Sequence, residues 1–204
     1  MTVSIDNTGE LANLNVLVEI EGPVATLTLN SPSKRNAVQM AMWASIDAHV
    51  TAQAANPDVQ VLVVRGAGEH FCAGADIKER TKLTGEPGVY NELNRLGREM
   101  FFTIMECPKP VVAAVHGAVL GAGMALSLCC DILVASEDAV FGMPEIDVGL
   151  AGGCAMLSRL VGKSFGRRIV FTGDRISAQG LYRIGVLVAC VPRDALMDEA
   201  IKMA

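Results

Sequence analysis

The chain has 204 residues, 51% of them hydrophobic and only 4% aromatic, so it can bury a full core alone, and that core must be built from Ala, Val, Leu and Ile rather than rings. A formal net charge of -5 speaks against a surface that neutralises nucleic-acid phosphates and leaves room only for a local basic pocket for a small anion. Six cysteines show neither a CxxC pair nor a His/Cys metal spacing, so they are read as reduced, buried thiols and no metal is expected.

The first stretch, MTVSIDNTGELAN, has no apolar run of signal length, which predicts a cytoplasmic protein. Val16 to Glu21 and Val24 to Asn30 read as strands around Gly22-Pro23, followed by a polar loop, SPSKRN. From Ala37 to Asn56 the spacing predicts a helix whose stripe is Met42, Ile46 and Val50, stopped at Asn56-Pro57. Val59 to Arg65 is short and almost continuously apolar, as a strand covered on both faces should be. A loop from Gly66 to Glu79 and a polar, mobile stretch from Arg80 to Gly88 are expected next, then a helix from Val89 to Glu106.

Val111 to Cys130 is apolar for long enough to suggest a membrane span, with His116 its only basic or acidic side chain. Pro110 precedes it, Gly117, Gly121 and Gly123 punctuate it, and Val111 to Val115 is rich in β-branched residues. A buried strand, a glycine turn and a helix from Gly123 to Cys130 explain the same residues, and no membrane is expected. Ile132 to Ala135 reads as a strand. Helices follow from Gly153 to Val161, from Ser164 to Phe171 and from Ser177, with that serine as cap. Val186 to Val191 reads as a strand. The last segment, RDALMDEAIKMA, is a helix that reaches Ala204 without a capping residue, which predicts that the chain is cut short. The recurring order of strand, helix and strand predicts an α/β architecture with a largely parallel sheet. One domain is expected over 1–204, with its core about 16–192 and a carboxy-terminal helical region beginning about 193.

Two segments share one physical logic. Phe71-Cys72-Ala73-Gly74-Ala75-Asp76-Ile77-Lys78-Glu79 and His116-Gly117-Ala118-Val119-Leu120-Gly121-Ala122-Gly123 each put small residues in a loop feeding a helix, where free N–H groups can meet an anion. Either alone is weak, because glycine turns before helices are mostly structural. Together, FCAGADIKE, LGAG and FGMPEIDVGL, with SPSKRNA, KPVVAAVHG and LVGKSFGRRIVFTGDRISA around them, stand in the order that marks the crotonase (enoyl-CoA hydratase/isomerase) superfamily. From about Val16 to Ala204 the chain resembles that superfamily.

The resemblance implies a crotonase-like spiral of ββα units with a helical carboxy-terminal region, and assembly as a homotrimer or a dimer of trimers. It implies an acyl-CoA substrate and no separate cofactor, coenzyme A being part of the substrate. By motif position the N–H groups of Ala75 and Ala122 would form an oxyanion hole for the thioester carbonyl, and Glu145 would be the second catalytic carboxylate, shuttling a proton. Lys34, Arg35 and Lys78 fall where the family meets the coenzyme A nucleotide. Ala37, Ala73, Asp76 and Ile77, with Ala75 and Ala122 again, complete the expected substrate contacts. Taken alone, three basic loop residues are as readily ordinary solvated charges as phosphate contacts.

The sequence departs from the family's hydratases at Ala125, where they usually carry a first glutamate twenty positions before the second. Isomerases of the superfamily that shift a double bond manage with one glutamate at the position of Glu145, so hydration is in doubt and one-base proton transfer is favoured. A hydratase recruiting another acid, a decarboxylase, a thioester hydrolase and a non-catalytic acyl-CoA binder remain open. Gly149 to Cys154 departs from the usual proline and glycine pattern of the acyl pocket. Asp147 is a candidate auxiliary acid, His116 a structural hydrogen bonder, and Cys72 a small apolar filler; His49 and His70 show no metal pattern.

Overall fold

The computed structural model describes residues 15–83, 87–150 and 152–204. The amino-terminal stretch read above for targeting lies outside the described residues, as do 84–86 within the expected polar loop. The hairpin forms as read: β1 (Val16–Glu21) and β2 (Val24–Leu29) pair antiparallel from Glu21 opposite Val24, so Gly22-Pro23 is the whole turn. Then come α1 (Met40–Ala55), β3 (Val61–Gly66), α2 (Ile77–Leu83), α3 (Pro87–Met105) and β4 (Val111–Val115). These lead into β5 (Ala118–Leu120), α4 (Ala122–Cys129), β6 (Ile132–Ser136), β7 (Val140–Gly142) and a 3-10 turn at Pro144–Val148. The chain continues through α5 (Cys154–Val161), α6 (Lys163–Thr172), β8 (Arg175–Ser177), α7 (Ala178–Arg183), β9 (Ala189–Val191) and α8 (Leu196–Met203).

Six strands form one sheet in the order β1-β2-β3-β4-β6-β9, parallel beyond the first pair. Alternation along β3 and β4 divides the core. Leu62, Val64, Ala113 and Val115 join Met42, Ile46 and Val50 of α1 and Met100 and Ile104 of α3 on one side. Val61, Val63, Val112 and Ala114 turn to the other side, where Leu196 and Ala200 of α8 cover them. Burying each such aliphatic side chain stabilises the fold by about 1.5 to 3 kcal/mol. Lys109 donates to the carbonyls of Gln53 and Asn56 (2.8 and 2.5 Å), satisfying the end of α1.

The structure corrects the sequence reading in places. The first helix begins at Met40 rather than Ala37, because Val38 is used in a bridge to Ala75. Most of the polar stretch from Arg80 to Gly88 is helical, since Arg80–Leu83 close α2 and Pro87-Gly88 open α3. Val111 to Cys130 is strand, turn and helix as expected, with β5 added in the turn. β5, β7 and β8 form a second, three-stranded sheet that the sequence reading missed, and the strand expected from Val186 shortens to Ala189–Val191. Ser177 does cap α7, its Oγ accepting from the Gly180 N–H at 3.1 Å. No described helix is long and apolar enough to cross a membrane.

Asn36 ties the loop after β2 to the loop after β3. It is fully buried, its Oδ1 accepts from the Ser31 N–H (2.8 Å), and its Nδ2 donates to the carbonyls of Ala67 (2.9 Å) and His70 (2.7 Å). Its φ is 54°, a left-handed conformation that Asn tolerates better than most residues. Asn36→Ala leaves three partly buried backbone groups without their partner and adds backbone strain, so it should destabilise the chain by about 2 to 4 kcal/mol in urea unfolding. A loss below about 1 kcal/mol would show that these bonds are dispensable.

Candidate active site

Three stretches of chain run side by side beyond the carboxyl ends of the parallel strands. The loop after β3 pairs with β5 through a parallel bridge at Cys72 and Val119, where the Cys72 N–H donates to Ala118 O and the Leu120 N–H to Cys72 O, both at 3.0 Å. β5 pairs in turn with β7, Leu120 opposite Gly142, and the Gly121 N–H extends that ladder to Gly142 O at 2.8 Å. Three residues beyond the bridge lie Ala75 on one stretch and Ala122 on the next, and three beyond Gly142 lies Glu145. Local pairing therefore delivers all three residues to one place.

Backbone bonding leaves the two alanine amides outside the neighbouring ladder and helix bonds. In the bridge between Val38 and Ala75, Val38 makes both bonds, from its N–H to Gly74 O (2.8 Å) and to its carbonyl from the Asp76 N–H (3.0 Å). The N–H of Ala75 thus falls outside that ladder. Ala122 is the first residue of α4, where an N–H has no carbonyl one turn earlier to meet. The two loops touch at this level: a methyl on Gly74 would lie 3.8 Å from the Ala122 nitrogen. Gly121 takes φ 52° and ψ -119°, a conformation suited to glycine, and a methyl there would sit 2.8 Å from Oε1 of Glu145. Oε2 of Glu145 is shielded from solvent.

Asp76 holds the Ala75 loop against two helices. Its Oδ1 accepts from the N–H groups of Lys78 (3.0 Å) and Glu79 (3.2 Å), capping α2, and its Oδ2 accepts from the Gln39 side chain (3.1 Å) with Lys34 Nζ at 3.7 Å. Glu79 in turn accepts from the Met40 N–H at 2.8 Å, closing the start of α1. Burial raises the Asp76 carboxyl, but the Glu79 N–H, the Gln39 amide, the Lys34 charge and the Lys78 N–H outweigh it and hold the group below the ordinary aspartate value.

These elements enclose a cavity of about 600 Å³. Ala73, Ala75, Asp76, Ile77, Ala122 and Glu145 line it, as do Ala125 and Asp147. Lys34, Arg35, Ala37 and Lys78 are not among its lining residues. Lys34 pairs with Asp76, the Arg35 carbonyl accepts from the Ala73 N–H (2.9 Å), the Ala37 N–H bonds Lys34 O (3.1 Å), and Lys78 is exposed. Of the unusual stretch after Val148, Leu150, Gly152 and Gly153 reach the cavity, while Ala151 lies outside the described residues. Sequence reasoning missed other residues that line it: Trp43 of α1, Met143, Met156 and one face of α3. The spacing of Asn94, Arg98, Phe101, Phe102 and Met105 by threes and fours carried that signal.

Cys72 packs beneath Gly123, and burial pushes its thiol up to about 12 against a small opposing effect from its Gly74 backbone bond, as suits a filler rather than a nucleophile. His116 donates from Nε2 to Gly68 O at 3.0 Å. Among the described residues no group of His, Cys, Asp and Glu is arranged to hold a metal ion.

Residues 19–204 match the family model described as enoyl-CoA hydratase/isomerase. A crotonyl-CoA hydratase of Syntrophomonas wolfei is 36% identical over 198 residues, which are 95% of this chain and 75% of that protein. A short-chain-enoyl-CoA hydratase of Clostridium acetobutylicum is 36% identical over 194 residues, 93% of this chain and 74% of that one. The crystal structure of an enoyl-CoA hydratase from Polaromonas sp. JS666 superimposes with a TM-score of 0.88 at 32% identity, covering 92% of this chain and 75% of that one. The chain belongs to the enoyl-CoA hydratase/isomerase family and has the crotonase fold.

Burial lowers the proton affinity of His116, with the Arg193 charge adding to it, Gly68 and Asp138 opposing, and Arg65 adding a little; burial also lowers His49. Both imidazoles are thus favoured neutral in the fold, and the unfolded chain binds those protons more tightly. Their stabilising contribution is complete above about pH 6.5 and is lost as pH falls through the lower folded values. The depressed Asp76 acts further down, its contribution being lost below about pH 3.9. Urea unfolding across pH 8 to 5 should show stability falling with acid, and His116→Gln should flatten that slope, leaving the part due to His49. An unchanged slope in the variant would mean that His116 does not titrate with unfolding.

Proposed function

We propose that the chain is an acyl-CoA enzyme of the hydratase/isomerase type that stabilises a thioester enolate with the N–H groups of Ala75 and Ala122 and moves the proton with Glu145. The observation that supports this is the shared register: Ala75, Ala122 and Glu145 each lie three residues beyond a paired position, and all three residues line the same cavity. Removing a proton beside a thioester carbonyl puts negative charge on its oxygen. Two preorganised donors, one of them at a helix start, lower the cost of that charge, and loss of one such donor costs about 3 to 4 kcal/mol in comparable sites.

Position 125 decides which reaction is favoured. Ala125 lines the cavity with a methyl group, so the standard arrangement of two carboxylates around one water is not formed there. Bond migration needs only one base that takes a proton at one carbon and returns it at another, which Glu145 suffices to do. A second reading, hydration with Asp147 as the other acid, is favoured by one fact: Asp147 lines the same cavity. Asp147→Asn separates the two readings, since it should spare isomerisation and abolish hydration only if the second reading holds.

The assembly we infer is a homotrimer or a dimer of trimers, working in the cytoplasm and needing no cofactor beyond the coenzyme A of its substrate. Its support is the exposed apolar surface of Ile146 in the 3-10 turn, Leu160 of α5 and Phe171 of α6, the last 67% exposed, on elements that pack together. Light scattering at micromolar concentration should give a multiple of three chains. A monomer would overturn the inference.

Glu145→Gln keeps the size and polarity of the side chain but cannot accept the proton. Turnover of crotonyl-CoA and 3-hexenoyl-CoA, followed in deuterated water by mass and NMR, should fall at least about 100-fold while acyl-CoA binding changes little. Ala125→Glu should raise water addition relative to bond migration. If Glu145→Gln kept more than about a tenth of kcat, another group would be the base and the proposal would fall.

A further inference from the structure

Gly97 stands near the middle of α3, is buried, and lines the cavity. Glycine is a poor helix former, so its presence inside a helix calls for a reason. Two reasons are common: a backbone turned to positive φ, or a neighbouring chain that comes too close for a side chain. Neither applies here. Gly97 is not among the glycines with positive φ, and a methyl added to it would meet, among the described residues, only Cε2 of Trp43, at an ordinary contact distance of 3.9 Å. Gly166 of α6 shows the contrast, since a methyl there would press to 2.9 Å from Ser158 Oγ and 3.0 Å from Ser158 Cα.

What the missing side chain leaves is room inside the cavity. One turn further along α3, the ring of Phe101 meets that of Trp43 edge to face, with centroids 5.4 Å apart and planes at 72°. Trp43 is only 5% exposed and Phe101 packs against the core, so the two rings make a fixed apolar corner. Gly97, Trp43 and Phe101 line the same cavity as Ala75, Ala122 and Glu145, and Ala125 of α4 adds only a methyl to it. A third ring suits such a corner. Offset or edge-to-face contact with centroids about 4.5 to 7 Å apart adds to the gain from its burial. A short straight chain in the same space leaves the walls without partner atoms and forfeits those contacts.

Resting on the reading of this cavity as an acyl-CoA site, we propose that Gly97 is a specificity-determining residue, whose missing side chain leaves the space beside Trp43 and Phe101 that selects acyl groups carrying a planar ring over short straight chains. The adenine of coenzyme A is the other ring on the same ligand. A matched pair of thioesters separates the two sources. Cinnamoyl-CoA and crotonyl-CoA share the coenzyme and the conjugated double bond, and differ only in a phenyl against a methyl group.

The test is calorimetric binding of cinnamoyl-CoA and crotonyl-CoA to the wild-type chain and to Gly97→Ala and Gly97→Leu. Both replacements are better helix formers than glycine, so the variants should fold, and Gly97→Ala should melt no lower than the wild type. The wild-type chain should bind cinnamoyl-CoA at least tenfold more tightly than crotonyl-CoA. Gly97→Leu, which fills the space, should cut that ratio at least tenfold, and Gly97→Ala should cut it at least twofold. If Gly97→Leu does not fold, Gly97→Ala decides alone, and a ratio it lowers less than twofold overturns the inference. Equal weakening of both thioesters would assign the space to the coenzyme, and an absent wild-type preference would assign it to no ring at all; each overturns the inference while the acyl-CoA reading stands. Failure of the wild-type chain to bind either thioester would overturn both.

Discussion

The parallel bridge between Cys72 and Val119 is the constraint on which the candidate site depends. Neither Ala75 nor Ala122 has a side chain able to seek a partner, so only backbone register can bring their N–H groups together. A slip of one residue in that pairing would turn each neighbouring amide the other way, because donors alternate in direction along an extended strand. The bridge is short and is reinforced from both sides. Val38 pairs with Ala75 on the outer edge, and β7 pairs with β5 on the inner one. Behind them, Asn36 fixes the loop entering this region by three partly buried hydrogen bonds.

Close packing follows from the same pairing. A methyl on Gly123 would collide with the carbonyl of Cys72, so the start of α4 can approach the loop only with glycine there. The Cys72 side chain fills the remaining gap, which is why its thiol is buried. Small residues in these two loops therefore serve the close approach of their backbones.

The strands of the main sheet and the stripe of α1 were legible because periodicity reports burial, and Met42, Ile46 and Val50 are all buried as their spacing implies. The three-residue strands β5, β7 and β8 were not, since a stretch that short shows no alternation and its pairing partners lie far along the chain. The start of α1 was misplaced for the same reason: Val38 looks like a helical residue until its bridge to Ala75 is known. At the site, Ala73, Ala75, Asp76, Ile77, Ala122 and Glu145 were found through motif resemblance and do share the cavity. Lys34, Arg35, Ala37 and Lys78 came from the same resemblance but line no part of it. The α3 wall has no motif, and only its helical spacing would have shown it.

On the proposed function, the groups that grip a thioester lie apart from the group that sets the reaction. The proposed gripping groups are main-chain, so side-chain replacement nearby leaves them in place unless it moves the backbone. Ala125 sits one turn along α4 from Ala122, almost fully buried, and its N–H is already bonded to Gly121 O at 2.9 Å. Its side chain can therefore change without taking a donor from the cavity. Glu145 is delivered by β7 and the 3-10 turn, a different element from the two that carry the amides. On the proposed roles, with gripping and proton transfer on separate elements, one scaffold could exchange water addition for bond migration at position 125 while its hold on the acyl-CoA is unchanged.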